Sequence, residues 1–188
     1  AVDPVARELV CADGEPRVCV SRVHSGLLSE VVGPAREGLA VLAKLPGAPV
    51  AVHEDTTTFG TDDYPPFRTD VTLLRVAAGT DGHLADSGSV LADVVGGAFD
   101  SPPGCEKFVG RADRLAAAYW LIGRPPVVPE PEYASDAPAE AEFEADAVAL
   151  WNGLRQLPGN EAQQRLVALR EAAAKCAVGE GSFLADKP

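Results

Sequence analysis

CEKFVGRADRLAAAYWLIG, residues 105–123, is the stretch on which the fold turns. A cysteine opens it, and Gly123 followed by Pro125-Pro126 closes it. Phe108, Ala112, Leu115, Tyr119 and Ile122 recur at helical spacing, with Val109, Ala116 and Trp120 as an adjacent stripe. Two neighbouring stripes predict a helix buried on most of its surface in its second half. Arg111, Asp113 and Arg114 mark a wetter first half. The reading is a core helix running through the centre of the fold. Its central turns offer only Ala, Tyr, Trp, Leu and Ile.

Upstream, short strand signals dominate. Pro4 to Val10 reads as a helical turn leading to Cys11, and RVCVS at 17–21 as a strand. From Ser25 to Leu45, Leu28, Val31, Val32, Ala35, Leu39 and Leu42 keep helical spacing. Pro34 lies inside it, so either a kink or a second helix with Pro34 in its first turn is expected. Val50–Glu54 and Val71–Ala77 are further strands, separated by a polar loop with Tyr64, Pro65, Pro66 and Phe67. A helix is expected from about Val90 to Phe99, with Ser87 or Ser89 at its N-cap.

Downstream, the composition changes. Residues 125–146 hold five prolines and seven carboxylates without one base, which is the signature of a self-repelling connector that becomes helical near Ala139. Phe143, Ala147, Leu150, Trp151 and Leu154 line one face of the next helix. Leu157-Pro-Gly159 breaks it, and Asn160 with Gln163 has the spacing of a capping box for a last helix carrying Leu166, Leu169, Ala173 and Cys176. Strands first and helices later give an α+β domain with a small mixed sheet. The expected divisions are a core at 1–124, a connector at 125–138, a helical hairpin at 139–178 and a disposable tail at 179–188.

Composition excludes several functions. At 188 residues the chain can bury a real core, and 46% hydrophobic with 23% charged residues is a globular balance. A net charge of −12 repels nucleic acid and anionic lipid. No run approaches the 18 or so apolar residues of a membrane span. The chain starts at Ala1 and holds no methionine, as expected of a processed product or excised fragment, so membrane segments outside it are open.

Cysteines set the compartment. Four of them without CxxC spacing fit disulfides better than zinc. Three connectivities are possible, and the expectation is Cys11–Cys19 with Cys105–Cys176. Loop entropy would give these about 2.5 and about 4.4 kcal/mol. An oxidising, extracytoplasmic location follows.

Motifs for catalysis are sparse. His24, His53 and His83 lie roughly thirty residues apart, and none has a second histidine at helical spacing. His53-Glu54-Asp55 is the nearest approach to a ligand cluster. Ser25 stands beside His24, but adjacency along the chain is not geometry. GxSxG is missing, and GxG occurs only at Gly179-Glu-Gly181.

Counting back from Gly123, the order strand, helix, strands and apolar helix resembles the zincin metalloproteases. Ala116, Ala117 and Trp120 stand where that family has His, Glu and His, so the resemblance implies a version without metal or catalysis. More specifically, VCVSRVHSGLLSEVVGPAREGLAVLAKLPGAP at 18–49 with LAAAYWLIGR at 115–124 resembles the extracytoplasmic portion of actinobacterial membrane proteins associated with ABC transporters. That likeness covers about residues 11–123 and the cysteine-ended helical tail. It implies a transporter or membrane partner, possibly a peptide ligand, no cofactor and no catalytic residues. Two alternatives stand beside it: a secreted hydrolase using zinc on His53, Glu54 and His83, and a structural assembly domain.

Overall fold

The computed structural model describes residues 3–59, 66–128, 130–131 and 133–185, and the expected loop residues Tyr64 and Pro65 lie outside these. The fold is α+β, with a small mixed sheet and, among the described residues, five α-helices. Internal contacts divide the chain into two compact units, Ala1–Ala98 and Phe99–Pro188.

In the first unit the sheet runs in the order β1 (Leu9–Cys11), β2 (Arg17–Ser21), β3 (Ala51–Glu54) and β4 (Val71–Leu74). β2, β3 and β4 are parallel, and β1 pairs antiparallel with β2. β1 escaped the sequence reading. The expected turn exists as a 3-10 helix over Pro4–Arg7, but three residues are too few to display strand alternation. Strand register sets Val18, Val52 and Thr72 side by side, all buried. Helices α1 (Leu28–Leu42) and α2 (Val90–Gly97) pack on the sheet and on each other. Thr72 Oγ1 donates to the Val94 carbonyl of α2 at 3.2 Å.

Glycine permits these close approaches. A Cβ on Gly38 of α1 would lie 2.7 Å from Val94 Cγ1, and one on Gly97 would lie 2.2 Å from Thr72 Oγ1. Pro34 does not divide its segment: α1 is one helix, entered through a 3-10 turn at Arg22–Leu27. Proline therefore sits within the helix and not in a first turn, where it lacks the N–H that would bond to Glu30 and its ring crowds that carbonyl.

In the second unit, α3 (Arg111–Ile122) starts six residues later than Cys105, after Gly110 in an extended conformation. Phe108 consequently lies outside the helix and is exposed. Gly123 ends α3 as expected, in the left-handed conformation (φ 90°), with its N–H on the Tyr119 carbonyl. The first half of α3 is the wetter one, as expected, with Arg111 exposed and Arg114 half-buried, but Asp113 is buried. α3 packs on α4 (Ala137–Arg155). Arg111 joins them, reaching Glu140 at 2.8 and 3.2 Å and lying 3.9 Å over the Phe143 ring. That hydrogen-bonded guanidinium holds the Glu140 carboxyl below its ordinary range.

A short turn through Gly159 (φ 59°) leads to α5 (Glu161–Ala174). Its expected capping box does not form. Asn160 makes no side-chain cap, and accepts instead from Gln164 at 3.3 Å. Ala147, Trp151 and Leu154 on α4 are buried, as are Leu166, Leu169 and Ala173 on α5. Cys176 lies beyond α5 at φ 53°, where the N–H of Ala177 meets the Ala172 carbonyl and that of Cys176 the Ala173 carbonyl. This is a Schellman end with cysteine where glycine is usual.

Both disulfides are present, Cys11–Cys19 and Cys105–Cys176, with Cα separations of 4.0 and 5.2 Å. They belong to an oxidising, extracytoplasmic environment. No helix among the described residues is long and apolar enough to cross a membrane.

Candidate functional site

Parallel strands deliver their carboxyl ends to one edge of a sheet, where α/β proteins bind ligands. Here β2 ends at Ser21 and β3 at Glu54. The 3-10 turn after β2 brings His24 back over the strand ends. His24 Nδ1 lies 2.7 Å from Glu54 Oε1 and 3.4 Å from Ser21 Oγ. Ser21 is fully buried, the Glu54 side chain is 2% exposed and that of His24 20%. With Nδ1–H donated to Glu54, the carboxylate fixes the ring's tautomer and orientation. Its second oxygen, Oε2, is buried and has no hydrogen-bond partner among the described residues. An unmet acceptor of this kind costs about 1–3 kcal/mol, more when charged. The edge therefore holds an unmet acceptor beneath its surface, among the described residues.

His53 precedes Glu54, so strand alternation sends it to the opposite face. There its Nε2 accepts from Arg17 Nη2 at 2.9 Å. Arg68 and Asp70 form an exposed pair nearby, Nη2 to Oδ2 at 2.6 Å, which lowers the Asp70 pKa through that hydrogen bond. Burial first, then the charges of Arg17 and Arg68, push the His53 pKa below its ordinary value, with Asp70 opposing. His53 is thus a neutral acceptor.

His83 sits on a loop with Nδ1 3.4 Å from Glu30 Oε2 on α1. The three residues proposed for zinc, His53, Glu54 and His83, therefore have three separate partners: Arg17, His24 and Glu30. Adjacent strand positions cannot converge on one ion. Among the described residues no group of three or more His, Cys, Asp or Glu is placed to hold a metal.

Ser25 is not the serine that approaches His24; Ser21 is. Ser21-x-x-His24 across a strand end was the available signal, but the meeting with Glu54 depends on strand register that no local pattern carries. On α3, Ala116 and Ala117 are fully buried and Trp120 is half-buried, so the helix presents no ligating group at these positions. α3 also falls in the second unit while the sheet lies in the first.

The second unit has its own polar cluster. Asp113 Oδ1 accepts from Ser182 Oγ at 2.6 Å and from the Leu184 N–H at 3.4 Å, and Oδ2 from the Phe183 N–H at 3.0 Å. Lys107 pairs with Glu180 at 2.5 Å. Residues 180–184 are therefore an anchored strap, not a disposable tail.

No family model, curated protein or solved structure matches the chain.

Proposed function

We propose that this chain is a non-catalytic extracytoplasmic domain of a membrane protein associated with an ABC transporter, and that it binds a peptide or partner protein at the carboxyl edge of β2 and β3. The buried Oε2 of Glu54, unmatched among the described residues, carries this reading. A peptide ammonium or a Lys or Arg side chain would supply the donor that this oxygen lacks, as a charge-assisted bond. His24 would order the carboxylate from its other oxygen, and Ser21 would close the floor of the site. The two disulfides support the extracytoplasmic location. Attachment to a membrane and association with a transporter rest on the sequence likeness at 18–49 and 115–124.

A displayed random peptide library tests the binding. Peptides retained by the protein should be rich in Lys, Arg or free amino termini, and Glu54→Gln should weaken them at least about tenfold, the range expected for losing one charged bond. Retained peptides without cationic groups, or binding indifferent to Glu54→Gln, would sink the assignment of the site. Flanking sequence with neither an export signal nor a membrane segment would sink the location.

A further inference from the structure

The Cys11–Cys19 bridge differs from Cys105–Cys176 in where the backbone puts it. Hydrogen bonds from the Ala12 N–H to the Val18 carbonyl and from the Arg22 N–H to the Glu8 carbonyl flank the pair, so Cys11 and Cys19 form a non-hydrogen-bonded pair of the antiparallel ladder. Such pairs hold their Cα atoms about 4.5 Å apart whatever their side chains. That lies at the lower end of the roughly 4.4–6.8 Å over which disulfides close, and bridges held toward a limit reduce more readily. The observed separation is 4.0 Å, against 5.2 Å for Cys105–Cys176.

Position adds access and charge. Cys11 is exposed on an edge strand, whereas Cys19 is 1% exposed. Register sets His53 beside Cys19, and Arg17 lies two positions along β2 on Cys19's face, with its guanidinium 2.9 Å from His53. A fixed cation near Cys19 favours its thiolate as the leaving group. Opening the bridge would also leave β1 in place. Its ladder bonds to β2 do not involve the sulfurs, and Arg22 pairs with Glu8 at 3.0 Å across the same two segments.

We propose that Cys11–Cys19 is a thiol–disulfide exchange site, opened by extracytoplasmic dithiols and closed again by their disulfides while Cys105–Cys176 stays intact. A thiolate of the dithiol attacks Cys11 Sγ. The bridge breaks, and its electron pair leaves on Cys19 Sγ, giving a mixed disulfide at Cys11. The dithiol's second sulfur, deprotonated, then attacks its partner in that mixed disulfide and releases Cys11 as a thiolate. The two protons lost by the reductant pass to Cys11 and Cys19, so one disulfide and one dithiol have exchanged oxidation state.

The test equilibrates the full chain with reduced and oxidised dithiothreitol, traps free thiols by alkylation and locates them by mass. Cys11 and Cys19 should become half reduced at a reduced-to-oxidised ratio at least about tenfold below that needed for Cys105 and Cys176, a difference of about 30 mV. Circular dichroism should stay native at that point. Joint reduction of both bridges, earlier opening of Cys105–Cys176, or unfolding on opening of Cys11–Cys19 would each overturn the proposal. A Cys11→Ala/Cys19→Ala variant provides the second arm. It should fold, and failure to fold would equally overturn a site that must open within a native chain.

Discussion

The two units are closed by different means. The first is held by backbone approach: α1 and α2 meet at Gly38, α2 meets β4 at Gly97, and its disulfide spans only the β1–β2 hairpin. The second is held by long-range ties. Cys105 reaches Cys176 across 71 residues, and Asp113 gathers the amides of Phe183 and Leu184. Where interlocking helices and strands already fix the chain, a covalent link is spare and free to react. In the second unit, the disulfide and the Asp113 cluster add long-range ties to the packing of α3 on α4.

Removing each disulfide is the sharpest way to break that distinction. Cys105→Ser with Cys176→Ser should cost about 4 kcal/mol by loop entropy, against about 2.5 kcal/mol for Cys11→Ala with Cys19→Ala. Denaturant midpoints at equal m would measure both. Equal losses would erase the contrast between the units. Cys176 carries a second signature, because it adopts φ 53°. Cys105→Ser with Cys176→Gly should recover about 1 kcal/mol of the loss, since glycine enters that conformation without penalty.

Asp113 comes next. Asp113→Ala removes the acceptor for Ser182 Oγ and two backbone N–H groups, and should destabilise the chain by about 2–3 kcal/mol. Hydrogen exchange gives the local readout: the Phe183 and Leu184 amides should lose protection. Retained protection at these two amides would show that the strap is held by something other than Asp113.

In the first unit the comparable test is steric. Gly97→Ala sets a methyl 2.2 Å from Thr72 Oγ1 and 3.1 Å from the Leu73 carbonyl oxygen, and should cost about 1–3 kcal/mol. Gly38→Ala should cost a similar amount, because its contacts are Val94 Cγ1 at 2.7 Å and Val94 Cβ at 3.0 Å, on a fully buried β-branched side chain that rotation does not clear. Combining Gly97→Ala with Thr72→Ala should be less damaging than the sum of the two, as for residues that share a contact. Additivity would mean that α2 does not pack on β4 through this glycine.

Legibility in the sequence followed the reach of each signal. RVCVS became β2 and Gly123 ended α3, because alternation and a left-handed stop are encoded locally. The start of α3 was misplaced since Phe108 and Val109 continue the helical spacing, and nothing in residues 105–110 except Gly110 announces an extended chain. β1 was too short to show a period. Asp113 looked like a surface charge because the amides that satisfy it come from about seventy residues away. The meeting of His24 and Glu54 was hidden for the same reason, since it needs β2 and β3 in parallel register.

The smallest expected effect lies on the face of the sheet that carries Cys19 and His53. His53 is held neutral by burial and by Arg17 and Arg68, so its folded pKa lies below the unfolded value of about 6.5. Between those two values the unfolded chain binds more protons than the folded one. Stability must therefore rise with pH through that window and level off above the unfolded pKa. In acid, His53 must take up a proton beside two guanidinium groups and give up the lone pair that accepts from Arg17. Melting temperature should climb from the folded pKa to about pH 6.5, and His53→Gln should flatten that slope. Arg17→Ala removes one cation and should move the His53 resonances in an NMR titration toward the ordinary histidine value. A His53 pKa at or above about 6.5 in the wild-type chain would mean that burial, Arg17 and Arg68 do not hold the ring neutral.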